Sequence, residues 1–573
     1  MSEGIWVWAP AATRVELVAG GGRFEMTVEA SGWFSAPTAT VADNAGYMLA
    51  IDGGEPRPDP RSAHQPEGVH GPSHLVNHAA FRWGDAAWSG LPLADAVIYE
   101  LHVGTFTPEG SFDAAAARLP YLLELGINAV ELMPVATFPG ARGWGYDGVD
   151  IFAPHPAYGG PDGLKRLVDA CHAAGIAVVM DVVYNHLGPD GNYLAEFGPY
   201  FTDVYQTPWG RALNFDGAGS DEVRRFFIDN AVMWLRDYHC DGLRLDAVHA
   251  IIDTSAVHFL EEVTAAVDAL GAELGRELWM IAESDLNDPR VVASRDRGGY
   301  GFDAQWSDDF HHALHAALTG EHAGYYAGFD GLEDVATALR QAFVFDGRYS
   351  PYRGRKFGRR PVGIPGTSFL GYIQDHDQVG NRAQGERISQ LVSPGLCRVA
   401  AALVLTSPFT PMIFAGEEWA ATTPFLYFTD HQSADLARAV TAGRRAEFAG
   451  FGWPAGAVPD PQSPQTFEAS RLDWTELESE PHRGTFQWYR DLVHLRRAEP
   501  ALRNGRMGDV VVRHGPSWIE MVREDIAVYC NLGGERVSFG SGGTLLLASE
   551  KGTRTDGEGT ELPPESAAVV RLG

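Results

Sequence analysis

Four short stretches of the sequence place carboxylate and imidazole side chains directly after apolar runs. They are Asp181-Val182-Val183-Tyr184-Asn185-His186, Arg244-Leu245-Asp246-Ala247-Val248-His249, Ile281-Ala282-Glu283-Ser284 and Gln374-Asp375-His376-Asp377-Gln378. An apolar run that ends in polar residues is typical of a buried strand whose end reaches a functional site. Side chains of these types can transfer protons or attack an electrophilic carbon.

The second and third stretches place two carboxyl groups in different surroundings, one beside a cation and one in an apolar setting. Arg244 and Asp246 share one face of a strand, because successive side chains alternate between faces, and the guanidinium keeps Asp246 ionised and oriented. Glu283 follows an apolar run, and an apolar setting raises a carboxyl pKa and so favours a proton donor. One ionised and one protonated carboxyl group form the pair that cleaves a glycosidic bond. Singly, each residue fits a salt bridge or a strand cap equally well, but the four stretches together favour a catalytic site.

The elements that position these residues follow a strand–helix rhythm. Eight strand-like runs occupy Val97–Val103, Ala129–Met133, Ala177–Val183, Gly242–Asp246, Trp279–Glu283, Phe302–Trp306, Phe369–Gln374 and Met412–Ala415. Segments of helical length between them include Phe112–Leu125, Gly163–Ala174, Asp221–Tyr238 and Val257–Leu270. The pattern predicts an α/β fold, a (β/α)8 TIM barrel with the polar residues at its strand ends. An open doubly wound sheet is the alternative, but no glycine-rich phosphate loop follows the first run.

The two ends of the chain have a different pattern. Residues 1–90 contain short β-runs separated by Gly, Pro and Asn/Asp turns, which predicts an N-terminal β-sandwich with strands at Ile5–Trp8, Val15–Val18, Phe24–Val28 and Tyr47–Ile51. Residues 91–495 form the predicted catalytic barrel with long loops. Short runs return in residues 496–573 and predict a small all-β C-terminal domain, with strands at Val510–Val512, Ile519–Val522, Ile526–Tyr529, Thr544–Leu547 and Ala567–Leu572.

Composition excludes several classes of partner. The 573 residues include 44 Lys and Arg against 75 Asp and Glu, a formal net charge of −31, so neither a nucleic acid nor a basic membrane-binding patch is expected. The 4 cysteines form no CxxC pair and are expected to be free thiols. The sequence shows no signal-peptide pattern and no apolar run of about 18 residues, so we expect a cytoplasmic protein. Most of the 15 Trp, 19 Tyr and 29 Phe should fill the core, and a minority in loops would suit sugar binding.

In order and spacing, the four stretches resemble the signature regions of the α-amylase superfamily, glycoside hydrolase family 13, across the whole predicted barrel. The resemblance implies that Asp246 is the nucleophile, Glu283 the proton donor and Asp377 the third carboxylate, which stabilises the transition state. It also implies substrate contacts from Arg244, which orients Asp246, and from the further residues Tyr146, Asp147, His186, His249 and His376. Of these, Tyr146 is the expected stacking platform beneath the sugar and Asp147 its support. Asp181 and Asn185 are expected to shape their loop.

Other segments indicate which branch of the superfamily this is. Val7-Trp8-Ala9-Pro10-Ala11-Ala12 resembles the glucan-binding-type sandwich that precedes the barrel in branching, debranching and trehalose-releasing members. Three segments resemble the trehalose-releasing group: Ile281–Arg290, Gly416–Trp419 with Pro424–His431, and Gly443–Phe448 with Phe451-Gly452-Trp453. The implied reaction is hydrolysis of the α-1,4 bond beside the trehalose end of maltooligosyltrehalose. Glu417 and Trp419 are the candidate contacts to the trehalose side, with Asp430 and His431 in the same subsite or stabilising its loop.

The resemblance also limits what else is expected. No cofactor and no obligatory metal are predicted, because the calcium ligands of secreted amylases are not evident. The superfamily usually has Asn where Asp375 stands, so this acid is expected either to shift neighbouring pKa values or to contact the trehalose side. An upstream enzyme that forms maltooligosyltrehalose is implied as a pathway partner.

Three rival functions stay open at this level. The first is a 1,4-α-glucan branching enzyme, in which a sugar hydroxyl rather than water meets the intermediate. A debranching hydrolase is the second. The third, a glucan-binding protein without catalysis, is disfavoured because Arg244, Asp246, Glu283 and Asp377 are all present.

Overall fold

The computed structural model describes residues 4–42, 44–450 and 458–573, and no side chains are described for residues 447–450. Its centre is a closed barrel of eight parallel strands, which confirms the predicted fold class. The barrel strands are β8 (Ile98–Leu101), β9 (Ala129–Leu132), β12 (Ala177–Val182), β15 (Gly242–Leu245), β16 (Trp279–Ala282), β17 (Ala304–Trp306), β20 (Phe369–Gly371) and β21 (Thr410–Phe414). Seven of the eight runs predicted from the sequence contain one of these strands, and the eighth, Met412–Ala415, overlaps β21.

Two antiparallel sheets precede the barrel. Their strands are β1 (Ile5–Trp8), β2 (Val15–Ala19), β3 (Gly22–Glu25), β4 (Thr27–Val28), β5 (Trp33–Ala36), β6 (Gly46–Ile51) and β7 (Ser73–His74). The run Phe24–Val28 was predicted as one strand, but the structure divides it between the sheets: β3 pairs with β2, and β4 pairs with β5. The chain changes sheets at Met26, whose side chain is buried.

Helices cover the barrel and connect its strands. They are α1 (Val103–Phe106), α2 (Phe112–Ala116), α3 (Leu119–Leu125), α4 (Gly160–Ala173), α5 (Leu194–Phe197), α6 (Ser220–Arg236), α7 (Phe259–Leu274), α8 (Asp308–Thr319), α9 (Leu332–Gln341), α10 (His376–Gly380), α11 (Ile388–Leu391), α12 (Pro394–Thr406), α13 (Ala434–Gly450), α14 (Pro464–Ala469), α15 (His482–Ala498) and α16 (Pro500–Arg503). The segment Phe112–Leu125, predicted as one helical unit, is two helices, because Pro120 lies in the first turn of α3 and cannot continue an earlier helix.

The loops that extend from the barrel contain three two-stranded sheets. They pair β10 (Ala136–Thr137) with β11 (Asp150–Pro154), β13 (Phe201–Thr207) with β14 (Gly210–Leu213), and β18 (Tyr349–Ser350) with β19 (Arg355–Lys356). After α16 the chain forms two antiparallel sheets from β22 (Val510–His514), β23 (Trp518–Arg523), β24 (Ile526–Asn531), β25 (Val537–Phe539), β26 (Gly543–Ala548), β27 (Arg554–Thr555), β28 (Thr560–Leu562) and β29 (Ser566–Leu572).

Strand alternation decides what the barrel interior contains. Ala177 and Val179 on β12 and Trp279 and Ile281 on β16 belong to one buried apolar cluster inside the barrel. Two residues beyond each pair, the same face carries Asp181 and Glu283 respectively. The barrel is therefore filled with apolar side chains below and with charged side chains at the carboxyl ends of its strands. The four cysteines of the chain, Cys171, Cys240, Cys397 and Cys530, are free and buried.

Candidate active site

Arg244 connects the acidic residues at the carboxyl ends of three adjacent strands. Its Nη1 donates to Asp246 Oδ1 at 2.9 Å and to Asp181 Oδ2 at 2.9 Å, while Nη2 donates to Glu283 Oε2 at 2.8 Å. The guanidinium is fully buried. A buried cation needs acceptors to compensate its charge, and here three carboxyl groups supply them, so this contact set fixes the geometry of all three acids.

The surroundings of Glu283 favour its protonated form. Burial raises the pKa of its carboxyl group, an effect that the nearby Arg244 cation opposes only in part. Both Arg244 Nη2 and the backbone N–H of Ala247 donate to Oε2, so the proton belongs on Oε1. Burial also raises the pKa of Asp181, to about 7, against the opposing charge of Arg244.

A residue that the sequence analysis missed, Glu100 on β8, binds His376 through both carboxylate oxygens. His376 Nδ1 donates to Oε1 at 2.5 Å, and the His376 backbone N–H donates to Oε2 at 3.0 Å. Burial lowers the pKa of His376, but Glu100 and then Asp377 outweigh burial and raise it to about 10. His376 is therefore an imidazolium at neutral pH, and its Nε2 donates to Tyr146 Oη at 2.7 Å.

Tyr146 links this imidazolium to the Arg244 network. Its hydroxyl donates to Asp181 Oδ2 at 2.6 Å, and its half-buried ring stacks on His376 with centroids 5.3 Å apart. Asp147, the next residue, lies 3.8 Å from His431 Nε2 through Oδ2. The structure thus brings Tyr146, Arg244 and His376 together as one hydrogen-bonded layer.

Asp377 lines the same cavity as Glu283. Asn381 Nδ2 donates to Asp377 Oδ1 at 3.2 Å, and Arg444 Nη1 donates to Asn381 Oδ1 at 3.0 Å. Arg444 belongs to the segment Gly443–Phe448, so part of that segment supports the third carboxylate. Phe451, Gly452 and Trp453 of the same prediction lie outside the described residues.

The cavity beside Glu283 and Asp377 extends to polar residues of several loops. His249 lies on it, with Nε2 3.8 Å from Asp285 Oδ1, and Arg353 Nη2 donates to Asp285 Oδ2 at 2.5 Å. The remaining side chains at its surface include Asp308, His312, Tyr325 and Tyr352. The cavity is a polar extension of the acid cluster.

His186 lies on another part of the site, beneath an exposed tryptophan. Its ring stacks on that of Trp209 with centroids 4.8 Å apart and an interplanar angle of 9°. Trp209 lies at the tip of the β13–β14 hairpin and is 48 % exposed. The hairpin therefore offers an exposed aromatic face over His186, whose ring lies near Asp147.

The positions of Glu417 and Trp419 require a correction. Trp419 is fully buried, packs on Tyr121 and Trp474, and donates from Nε1 to Glu476. Glu417 is buried, accepts a hydrogen bond from Tyr489 Oη at 3.0 Å, and has a pKa that burial raises to about 8. Both belong to the packing between the loop after β21 and α15, so the predicted contact with a bound sugar is wrong.

Asp375 and Asp430 also have structural contacts. Asp375 is buried and caps α10 by accepting the Gln378 backbone N–H at 2.7 Å. Of the two expectations for this acid, an effect on neighbouring pKa values agrees with its contribution to the raised pKa of His376, and a contact to the trehalose side stays a prediction. Asp430 forms an ion pair with Arg142 at 2.6 Å. Burial and then the nearby charge of Glu100 raise the pKa of Asp375 well above its usual value.

Glu131 on β9 is paired in register with Glu100 and is buried in the barrel. Neither of its carboxylate oxygens has a hydrogen-bond partner among the described residues. Burial and then the charge of Glu100 raise its pKa well above the usual value, which favours the neutral acid beneath the charged layer. Over the described ranges, no group of three or more His, Cys, Asp or Glu side chains is arranged to hold a metal ion.

A closed barrel with this acid cluster at its strand ends defines a glycosidase-type site, and comparisons with known proteins agree. The model of the alpha amylase catalytic domain matches residues 79–206. The chain is 51 % identical over 572 residues to a malto-oligosyltrehalose trehalohydrolase of Arthrobacter ramosus, covering 99 % of both chains. It is 49 % identical to one from Rhizobium sp. (strain M-11), covering 99 % of this chain and 97 % of that one.

A crystal structure of a Salmonella typhimurium protein provisionally assigned as an alpha amylase superposes with a TM-score of 0.90. That protein is 39 % identical, and the match covers 99 % of this chain and 97 % of that one. The chain therefore belongs to the malto-oligosyltrehalose trehalohydrolase family of α-amylase-type glycoside hydrolases. No helix in the described parts of the chain is long and apolar enough to cross a membrane.

Proposed function

We propose that the protein hydrolyses the α-1,4-glucosidic bond beside the trehalose end of maltooligosyltrehalose, releasing trehalose and a shortened maltodextrin. The family relationship supports this activity. The observation that carries the chemistry is the single guanidinium of Arg244 shared by Asp246 and Glu283. Two carboxylates within reach of one guanidinium suit the spacing of about 5–5.5 Å found in retaining glycosidases.

In the first step, Glu283 Oε1 donates its proton to the glycosidic oxygen while Asp246 attacks the anomeric carbon. Arg244 holds Asp246 through Oδ1, so we assign the attack to Oδ2. The C–O bond to the leaving sugar breaks, and an ester between the maltodextrin unit and Asp246 forms. In the second step Glu283 takes a proton from water, the water oxygen attacks the anomeric carbon, and the Asp246 carboxylate is released.

The residues around His376 stabilise the transition state of each step, in which the sugar ring carries developing positive charge. We assign Asp377 and the His376 imidazolium to the hydroxyl groups of the sugar at the cleavage point, with the ring of Tyr146 beneath it. Asp377 is held by Asn381, and His376 is held by Glu100. Groups that are already oriented do not have to reorganise as positive charge develops on the sugar ring.

The trehalose unit occupies the polar cavity that extends from Glu283 and Asp377 to the Asp285–Arg353 ion pair. A ligand that leaves buried polar groups of the cavity without hydrogen-bond partners binds much more weakly than one that satisfies them. A polar cavity can therefore select a trehalose end over a maltose end. The maltodextrin unit then lies on the opposite side, toward His186 and Trp209.

We also propose an upstream partner enzyme and a cytoplasmic location. An enzyme that forms the trehalosyl end must act first and supply maltooligosyltrehalose. Four free, buried cysteines suit a reducing cytoplasm, where disulfides are rare.

The test is product analysis with purified protein. Maltooligosyltrehalose and an unmodified maltooligosaccharide of equal length are incubated separately, and products are separated by chromatography. We expect free trehalose from the first substrate and much slower cleavage of the second. No trehalose release would overturn the proposal, and new branched glucans would identify a branching transferase instead.

A further inference from the structure

A second cavity lies at the opposite end of the barrel from the acid cluster. It has a volume of about 800 Å³ and is bounded by residues 360–365, by the amino end of β20, and by residues 504–508, which lead into the C-terminal sheets. Small-molecule sites usually have volumes of about 300–1,000 Å³, so a metabolite of nucleotide or sugar-phosphate size can enter.

The charged residues at the surface of this cavity are all of one sign. Arg340, Arg360 and Arg506 line it together with the amides Gln341 and Asn504, and no carboxylate is among the lining residues. The chain as a whole has a net charge of −31, so an acid-free cavity with three guanidinium groups is a local exception. Arg506 forms ion pairs with Glu524 at 3.1 Å and Asp509 at 3.9 Å, whereas Arg340 and Arg360 form no ion pair with the described residues, so the positive charge of the cavity comes mainly from these two.

Two buried guanidinium groups add positive charge behind the cavity. Arg523 donates to the backbone oxygen of Asn504, a lining residue, and Arg496 donates to the backbone oxygen of Ser407, which Arg523 also contacts. Both side chains are 2 % exposed. Across the described residues neither forms an ion pair, and both guanidinium groups donate their hydrogen bonds to backbone carbonyl oxygens. Charges in a low-dielectric interior act strongly on a nearby ligand.

The cavity wall is preformed. Gly366 donates its backbone N–H to Gly505 O at 2.7 Å, which joins the two bounding loops. A Cβ atom at Gly505 would lie 2.8 Å from the backbone nitrogen of Thr367, so this close approach requires glycine. Preformed walls reduce the entropy that a ligand must overcome on binding.

One of the three arginines is unengaged within the cavity. Arg506 contacts Glu524 at 3.1 Å, and Arg340 donates to Val512 O at 3.3 Å. The Arg360 guanidinium makes no hydrogen bond or ion pair with any part of the chain that the structure describes. Arg360 is exposed and is free to pair with an incoming anion.

We propose that this cavity is a binding site for a phosphate-bearing anion, separate from the catalytic site. A phosphate monoester carries a charge of about −1.5 to −2. It can therefore pair with several guanidinium groups at once, whereas a ligand with a single carboxylate carries only one negative charge. Val362, Ile364, Pro365 and Met507 complete the lining and provide apolar surface for the remainder of a phosphorylated metabolite.

The test is isothermal titration calorimetry of the full-length protein with inorganic phosphate and with glucose 6-phosphate, each against chloride at equal ionic strength. The variant Arg360→Ala removes the unengaged guanidinium, and Arg340→Gln removes the charge of a second while keeping a hydrogen-bond donor. Arg359→Ala is the matched control, because Arg359 is the exposed neighbour in sequence but does not line the cavity.

We expect binding of both probes, weakened about tenfold or more by Arg360→Ala and by Arg340→Gln and less than about twofold by Arg359→Ala. Tighter binding of glucose 6-phosphate would assign the site to a phosphate ester, and equal binding would assign it to free phosphate. Absence of binding beyond the chloride reference would overturn the proposal, as would equal affinity in Arg360→Ala and Arg359→Ala.

Discussion

Both carboxylate oxygens of Glu100 accept hydrogen bonds from His376, a residue 276 positions later in the chain. One oxygen accepts the ring Nδ1–H and the other accepts the backbone N–H, so the imidazole is fixed in position, orientation and charge at once. The remaining ring nitrogen, Nε2, then donates to Tyr146. A side chain of the first barrel strand thus controls a residue at the end of the seventh.

We expect Glu100→Gln to lower kcat about tenfold at neutral pH with a smaller effect on KM, because the pKa of His376 falls when the opposing carboxylate is lost. A change of one pKa unit corresponds to about 1.4 kcal/mol. The deficit should grow as pH rises, since the variant His376 loses its proton at lower pH than the wild type. The ratio of wild-type to variant trehalose release is measured from pH 5 to 9. Glu131→Gln, in register on β9, is the control, and an equal, pH-independent deficit in both variants would contradict this role.

Glu283→Gln should lower kcat by about 10²–10⁴-fold, the usual contribution of a general acid. Burial raises the pKa of Glu283, so wild-type activity declines as pH rises through that pKa, and the variant should lack this decline. Asp246→Ala should abolish turnover. Asp288→Asn, in the loop after β16 and paired with Arg290, serves as the control. Trehalose release that survives in Asp246→Ala would show that the nucleophile is another residue.

Trp209→Ala should raise KM for long maltooligosyltrehaloses several-fold, because the ring at the hairpin tip stacks on His186 and faces the proposed maltodextrin side. The effect should shrink for the shortest substrate, which does not reach that far. Val204→Ala on the same hairpin removes a side chain that is 77 % exposed and should leave KM unchanged. Kinetics over a series of chain lengths distinguishes the variants, and a length-independent effect would place Trp209 outside the substrate path.

Glu417 links stability to pH. Its pKa is raised by burial to about 8 in the folded protein against about 4.3 in an unfolded chain, so the folded state binds more protons between these values. The free energy of unfolding therefore falls as pH rises from about 4.5 to 8. Glu417→Gln keeps an acceptor for Tyr489 and should flatten this dependence, raising the melting temperature at pH 9 more than at pH 6. Scanning calorimetry measures these melting temperatures, with the exposed Glu333→Gln variant as reference. Equal changes in melting temperature at pH 6 and pH 9 would contradict the assignment.

The acid cluster could be predicted because strand alternation is a local property. Arg244 and Asp246 share a face by spacing alone, and the apolar run before Glu283 is visible in the sequence. Glu100 was missed although a signal existed, a single acidic residue inside the apolar run Val97–Val103. Its partnership with His376 could not have been predicted, because the contact depends on how the barrel closes and reaches across β21, which lies between β20 and β8.

Packing between distant segments explains both the error at Trp419 and the helix-capping contact of Asp375. Trp419 follows a barrel strand, as a cleft residue would, but a tryptophan beside α15 gains more from burial than from exposure at the cleft. Asp375 directly precedes the site residues His376 and Asp377, yet one of its carboxylate oxygens caps the amino terminus of α10. In both cases the sequence indicates the region correctly, and the direction of the side chain depends on packing between distant segments.

The burial of all four cysteines makes the protein suitable for labelling at a single introduced cysteine. Each thiol is enclosed by the core, and burial raises the pKa of Cys397 to about 12, so thiolate formation near neutral pH is suppressed. A cysteine introduced at the tip of the β13–β14 hairpin would be the reactive one. A fluorophore or spin label attached there could report substrate entry, without any native cysteine having to be replaced.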